Sequence, residues 1–479
     1  MKRGSRTVNG VIWCTIERIA KLATGFVAQI FVARQLMPSD YGTIAMLSIF
    51  MAVANTFIDS GFSNALIQKQ DRTQTDYSTV FYFNVAVAIL LYGLMLLISP
   101  LIADFYDMPI LKQLIPWYCL TLIISSFYTI QRTILTIRMD FKRQAIISVT
   151  SGLISCAVSI YLAYNGYGVW TLVIAGLIEA VLTTGLLWIS AHWHPSLVFS
   201  KKSFNILFNF GSKLLCGNLI NIIYQNLYTL VIGKAFSATD LGNYNKGYTL
   251  SQYPTSQVTS IVSRVSFPRW CALQDDKEEL TNDYFLFLRF SSFIIFPICL
   301  LIVALAHPLI GFLLTSKWLG AVFFLQTMCI AYMFAPIKKY NVDVLNAISR
   351  SDLTLKAEVL KKIAGVAILL VTVPLGVKVM ALGVILYSLI DIAIILRCTE
   401  LSGLKINFVN IANSLLPILV TAIISAAAAF GISRLFLSDL LQLISGISLG
   451  LISYLLLNYV FNRDIICKSL QIILTIRRK

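Results

Sequence analysis

Charge is what this sequence has little of: Asp, Glu, Lys and Arg make up 13% of its 479 residues, while 58% are apolar. A soluble chain of this length carries roughly twice that share of charge on its surface, so a soluble globular protein is excluded. Histidine occurs only as His192, His194 and His307, with no metal-ligand spacing. The nine cysteines form no CxxC pair, and Cys119, Cys156, Cys299 and Cys329 lie in apolar runs, where a thiol acts as a small hydrophobe. No Walker A sequence is present, so ATP hydrolysis within this chain is not expected. Catalytic residues, metal sites and cofactors are therefore all expected to be absent. The net charge of +16 does not indicate nucleic acid, because the Lys and Arg residues are spread over short loops.

What the sequence does have is long charge-free stretches, among them 77–103, 214–233, 290–316 and 406–433. Each is long enough to span a hydrocarbon core of about 30 Å. They are continuously apolar rather than alternating, which predicts helices and not a barrel. The expectation is an all-α polytopic membrane protein of about fourteen transmembrane helices. These fall at 7–34, 41–66, 78–103, 111–137, 144–165, 168–191, 204–234, 241–267, 283–308, 318–345, 355–377, 379–398, 406–433 and 440–461.

With those boundaries, 22 of the 38 Lys and Arg fall in loops or within three residues of a helix end on the side of the N-terminus. Six fall opposite: Arg34, Lys112, Lys234, Lys317, Lys378 and Arg434. The positive-inside rule predicts a multi-pass protein with both termini cytoplasmic. The chain also repeats. Arg34–Gly42 (RQLMPSDYG) matches Lys234–Gly242 (KAFSATDLG), Asp76-Tyr77 matches Asp283-Tyr284, and Glu179 matches Asp391. The ordered, slowly growing offset predicts two like-oriented six-helix lobes, 1–200 and 201–405. Two more helices and a cytoplasmic tail follow at 406–479. Transporters built from such repeats bind substrate between the halves and alternate access.

Charge inside the membrane marks the candidate site, because an unpaired charge there costs at least about 2.5–3.5 kcal/mol. On the first helix Cys14, Arg18, Lys21, Gly25 and Gln29 fall on one stripe, with Glu17 four residues before Lys21. At an offset of 200 the seventh helix places Asn218 and Asn221 at the positions of Arg18 and Lys21, and Lys213, Lys246 and Arg289 add further cations. A cavity lined by Arg18, Lys21, Lys213, Asn218, Asn221, Lys246 and Arg289 suits an anionic, hydroxyl-rich substrate such as a diphosphate carrying a glycan. Glu17, Asp59, Glu179 and Asp391 are the acids available for ion coupling. Arg132 and Lys338 are read as snorkelling cations near helix ends.

Several local segments resemble the polysaccharide transporter family of the multidrug/oligosaccharidyl-lipid/polysaccharide superfamily. They include Arg34-x-Leu-x-Pro-x-Asp-Tyr-Gly42, Asp59-Ser-Gly61-Phe, Phe81-Tyr-Phe-Asn84, Arg138-Met-Asp-Phe141 and Gly166-Tyr-Gly168-Val-Trp170. The resemblance is to the branch of colanic-acid and teichuronic-acid exporters and O-antigen flippases. It implies two six-helix lobes plus two helices, and an undecaprenyl-diphosphate-linked oligosaccharide flipped across the bacterial inner membrane for surface polysaccharide synthesis. Membrane lipids and the polysaccharide polymerase machinery are the implied partners. The family's central arginines correspond to Arg18, whereas lysines stand at 213 and 246. A multidrug or small-cation exporter of the same superfamily is the alternative, but it calls for an acidic cavity. A membrane glycosyltransferase or ligase calls for a large outer loop or an acid or His cluster, and the sequence has neither.

Overall fold

The structure is a computed structural model that describes residues 2–59 and 61–463, with side chains from residue 13 onward. The expected tail at 464–479, with Lys468, Arg477, Arg478 and Lys479, lies outside the described residues. Among the described residues all regular structure is helical, and eleven helical stretches are long and apolar enough to cross a membrane. Three other stretches expected to span are more polar. They lie in α1 (Lys2–Gln35), α10 (Ala238–Ala272) and α15 (Ser351–Thr372), the helices that carry Arg18, Lys246 and Lys361.

The chain separates into two compact units, Met1–Gly242 and Asn243–Lys479. The first contains α1, α2 (Pro38–Asp59), α3 (Phe62–Gln68), α4 (Gln74–Phe105), α5 (Ile110–Ser126), α6 (Thr129–Ile137), α7 (Phe141–Tyr164), α8 (Trp170–Ala191) and α9 (Lys201–Ala235). Within it α1 packs on α7, α5 on α4 and α8, and α9 on α2, α3 and α4. The packing boundary thus falls beyond residue 200, because α9 is held by the helices before it. The second unit contains α11 (Lys277–Ala304), α12 (Ala306–Leu314), α13 (Ala321–Tyr332), α14 (Ala335–Ala347), α15, α16 (Val377–Glu400), α17 (Phe408–Ser433) and α18 (Asp439–Phe461). There α17 packs on α11 and α18, and α16 on α13, α14 and α15.

Helix starts follow from their caps. Thr73 and Asp76 form a reciprocal capping box at α4, and Asp140, Ser200, Asp276, Asn407 and Ser438 cap α7, α9, α11, α17 and α18. One salt bridge occurs in each unit at matching places. Lys69 Nζ lies 2.7 Å from Asp76, and Arg269 Nη2 lies 2.8 Å from Asp283. In both, a cation at the end of one helix holds a buried acid at the start of the next.

Four expected single helices are broken in two, and each break has a local cause. Between α2 and α3, Gly61 takes the left-handed φ of 71°. Between α11 and α12, Pro308 has no N–H for the Ala304 carbonyl, and Pro336 lies in the first turn of α14 just after the α13 break. Between α5 and α6, side chains of α8 take the freed carbonyls: Trp188 Nε1 donates to Phe127 O at 2.9 Å, and Thr184 Oγ1 to Ile124 O at 3.1 Å. Carbonyls released inside a membrane need such partners. Trp188→Phe leaves Phe127 O unpaired, and the expected cost is about 1–3 kcal/mol, read as a lower melting midpoint in detergent. An unchanged midpoint would show that the α5–α6 break does not depend on this bond.

Candidate binding cavities of the first unit

The break between α5 and α6 turns Ser125, Tyr128 and Arg132 toward α2, α7 and α8, where three adjoining cavities open inside the first unit. The first, of about 280 Å³, lies between α1, α7 and α8, lined by Lys21, Thr24, Gly25, Ser148, Gly152, Ser155 and Glu179 among others. The second, of about 260 Å³, shares Lys21, Ser148 and Glu179 with the first and adds Asn55, Ser125, Tyr128, Arg132, Ser151 and Thr183. The third, of about 320 Å³, shares Asn55, Tyr128 and Arg132 and ends at Asp59 and Ser63. Shared walls make one polar passage through a unit whose helices are otherwise apolar.

Several hydroxyls of this passage donate to the backbone or to one another. Ser125 Oγ donates to Leu122 O at 3.1 Å, Ser155 Oγ to Ala175 O at 2.8 Å, and Thr183 Oγ1 to Ser151 Oγ at 3.0 Å. With their protons placed, these oxygens present acceptor lone pairs to a ligand. Lys21 Nζ pairs with Glu17 at 3.2 Å while its side chain stays 44% exposed, so the ammonium is neutralised but still open to the cavity. Asp59 accepts from Ser63 at 2.5 Å at the α2–α3 break. The charges along the passage therefore alternate: Lys21 beside Glu17 and Glu179, then Arg132, then Asp59.

The other expected site residues divide by unit. Arg18, Lys213, Asn218 and Asn221 lie on exposed faces of α1 and α9 but do not line these cavities. Arg289 is half-buried on α11, and its Nε has no hydrogen-bond partner. Lys246, expected to line an open cavity, is 2% exposed and stacks its ammonium 4.9 Å over the Trp318 ring. An indole face is a favourable partner for a desolvated cation, so in this conformation Lys246 belongs to the packing of the second unit. Asp391, expected as a coupling acid, is likewise buried. Lys361 lies 3.1 Å from Oδ1 and Lys338 3.7 Å from Oδ2, and Lys361 also meets Glu358 at 3.1 Å. Two ammonium groups already neutralise this acid, which removes the uncompensated charge that pointed to coupling. Its repeat mate Glu179 is exposed to the cavities instead.

The sequence reading missed Arg132 as a site residue, having taken it for a snorkelling helix end. It also missed the serine ladder Ser148, Ser151, Ser155 and Ser159. Its spacing of three and four places one hydroxyl per turn on a single face of an otherwise apolar helix, a pattern that the residue order alone displays.

Polar, charge-bearing cavities walled by membrane-spanning helices define the chain as a multi-pass membrane protein of the transporter class. The chain belongs to the polysaccharide biosynthesis protein family, whose model matches residues 31–323. It is similar to the lipopolysaccharide biosynthesis protein WzxC of Escherichia coli K12, at 24% identity over 75% of this chain and 74% of that one. The teichuronic acid biosynthesis protein TuaB of Bacillus subtilis 168 matches at 28% identity over 63% of this chain and 62% of that one. Among solved structures, the lipid II flippase MurJ in its inward closed conformation shares the fold. The TM-score is 0.77, covering 95% of this chain and 100% of that one, at 16% identity.

Proposed function

We propose that the protein is a flippase that moves an undecaprenyl-diphosphate-linked oligosaccharide across the bacterial inner membrane for surface polysaccharide synthesis. The observation that carries this reading is the presence of Lys21 and Arg132 in hydroxyl-lined cavities within membrane-spanning helices. The cations match the diphosphate, and the Ser, Thr, Asn and Tyr side chains match sugar hydroxyls. Family membership and relatives named for lipopolysaccharide and teichuronic acid synthesis support the substrate class. A polymerase that consumes the exported repeat unit is its functional partner. Fourteen spans with both termini cytoplasmic are supported by the loop charge bias, and a C-terminal reporter active only outside the cytoplasm would sink that topology. The two-lobe reading is supported by the recurring salt bridges Lys69–Asp76 and Arg269–Asp283.

Movement proceeds by alternating access without ATP hydrolysis by this chain, and Glu179, Asp59 and Glu17 are the acids available for coupling. In proteoliposomes, Lys21→Ala and Arg132→Ala are each expected to slow flipping about 10–100-fold, the loss of one charge-assisted bond of about 1.5–3 kcal/mol. Partial recovery is expected from the alternative cation at each position. Full flipping by the Lys21→Ala/Arg132→Ala double variant at normal abundance would overturn this reading.

A further inference from the structure

A groove of about 310 Å³ runs between α14, α16 and α17 in the second unit, and every side chain along it is apolar. Ile337, Leu389, Ile392, Ala412, Leu416 and Leu419 form its walls. We infer that this groove holds one acyl chain of an anionic phospholipid whose phosphate rests on the turn between α16 and α17. The three helices are membrane-spanning, and the groove offers no side-chain hydrogen bond, so its natural occupant is hydrocarbon. It is open sideways, with Leu389, Phe408 and Leu416 all more than half exposed.

Length and charge narrow the occupant. Along α17 the lining runs from Phe408 to Leu419, about 16 Å at a rise of about 1.5 Å per residue. That is roughly half of a hydrocarbon core of about 30 Å, the reach of one chain in one leaflet. A lipid that crosses with its headgroup leaves such a half-depth groove, so the fit is to a resident lipid rather than to the transported one. At the mouth, Lys405 and Arg397 are exposed, and Lys277 Nζ bonds the Ser402 carbonyl of the same turn at 3.3 Å. Glu400 pairs with Arg397 at 3.1 Å, so the turn keeps a positive excess that favours a phosphate. The N-terminus of α17 points the same way.

The back of the groove gives the lipid a consequence. Ile337 precedes Lys338 on α14 and Ile392 follows Asp391 on α16, so the groove and the ion cluster share two helices. A chain in the groove packs on both of these helices, and bound lipid should therefore stabilise the second unit.

Native mass spectrometry of the purified full chain, titrated with phosphatidylglycerol or phosphatidylcholine of identical chains, tests this directly. Retention should favour phosphatidylglycerol about tenfold, the effect of one to two basic residues near a phosphate. Arg397→Gln/Lys405→Gln should abolish the preference while retaining lipid, and Ala412→Trp should lose both lipids and the melting-point gain that phosphatidylglycerol gives. Ala412→Leu narrows the groove less and serves if the tryptophan variant does not fold. Equal retention in parent and groove variants would overturn the inference. So would displacement of the phospholipid by an equal concentration of undecaprenyl diphosphate, which would assign the groove to substrate. A dimer that buries the groove would assign it to a second copy. Flipping activity is not the readout, so failure of the proposed function leaves this test intact.

Discussion

Asp391→Ala is expected to cost about 3–5 kcal/mol of stability, and Lys338→Met is expected to restore most of it. The asymmetry follows from the cluster's geometry. Lys361, with its side chain 6% exposed, sits 3.1 Å from Asp391 and 3.1 Å from Glu358, so it keeps one acid when the other is removed. Lys338, 16% exposed, has Asp391 as its acid at 3.7 Å, plus Ser388 Oγ at 3.4 Å and the Tyr332 ring at 5.5 Å. Removing Asp391 strands Lys338 without an acid in a membrane-spanning helix, and a buried charge without its partner is far more costly than a whole pair replaced by apolar atoms. Asp391→Ala/Lys338→Met leaves Lys361–Glu358 intact and exchanges the other pair for hydrocarbon. Melting midpoints of detergent-purified single and double variants, with membrane abundance alongside, decide the matter. If Asp391→Ala melts like the parent but fails to flip substrate, the aspartate carries an ion rather than locking α14, α15 and α16 together.

That contrast also marks how far the sequence could be read. The fold class was legible because runs such as 77–103 and 406–433 have one physical solution in lipid, and caps such as Thr73, Asp140 and Ser200 sit where the charge-free runs stop. The helix breaks were less legible. Gly61 and Pro308 were visible, but the α5–α6 break depends on Trp188 and Thr184 reaching over from α8, a tertiary contact with no local signal. The site was legible in kind and not in detail. Cations such as Arg18 and Lys21 announced a polar interior, and the serines of α7 carried the same signal unread. Nothing in the one-dimensional pattern said that Lys246 would turn onto Trp318, or that Asp391 would find two lysines while its repeat mate Glu179 stayed open to a cavity. Burial decides those roles, and it is set by neighbours far along the chain. Matching positions in a repeat therefore need not keep matching chemistry.

At two of its glycines the repeat keeps a steric constraint, and valine at Gly42 or Gly242 is expected to lower stability by at least about 3 kcal/mol, the upper range of overpacking. The two glycines lie 200 residues apart at the starts of α2 and α10. A Cβ on Gly42 would overlap the Ala238 carbonyl oxygen, and a Cβ on Gly242 would overlap the Pro38 carbonyl oxygen. Pro38 and Ala238 are also 200 apart, so the contact is reciprocal. The Gly42 amide nitrogen would lie only 3.2 Å from the Gly242 Cβ. The obstacles are backbone atoms, which have no rotamer to yield, and both helix starts are pinned. Met37 N donates to Asp40 at 2.9 Å and Ser237 N to Asp240 at 3.4 Å. Elsewhere in a helix the exchange of glycine for alanine gains up to about 1 kcal/mol. Gly217, within α9 and with nothing within 4 Å of a new Cβ, is the control for that gain. The expected order of melting midpoints is Gly217→Ala at or above the parent, then Gly42→Ala and Gly242→Ala below it, then the two valine variants lowest. Valine variants that melt with the parent would mean that α2 and α10 do not meet at these glycines in the folded protein.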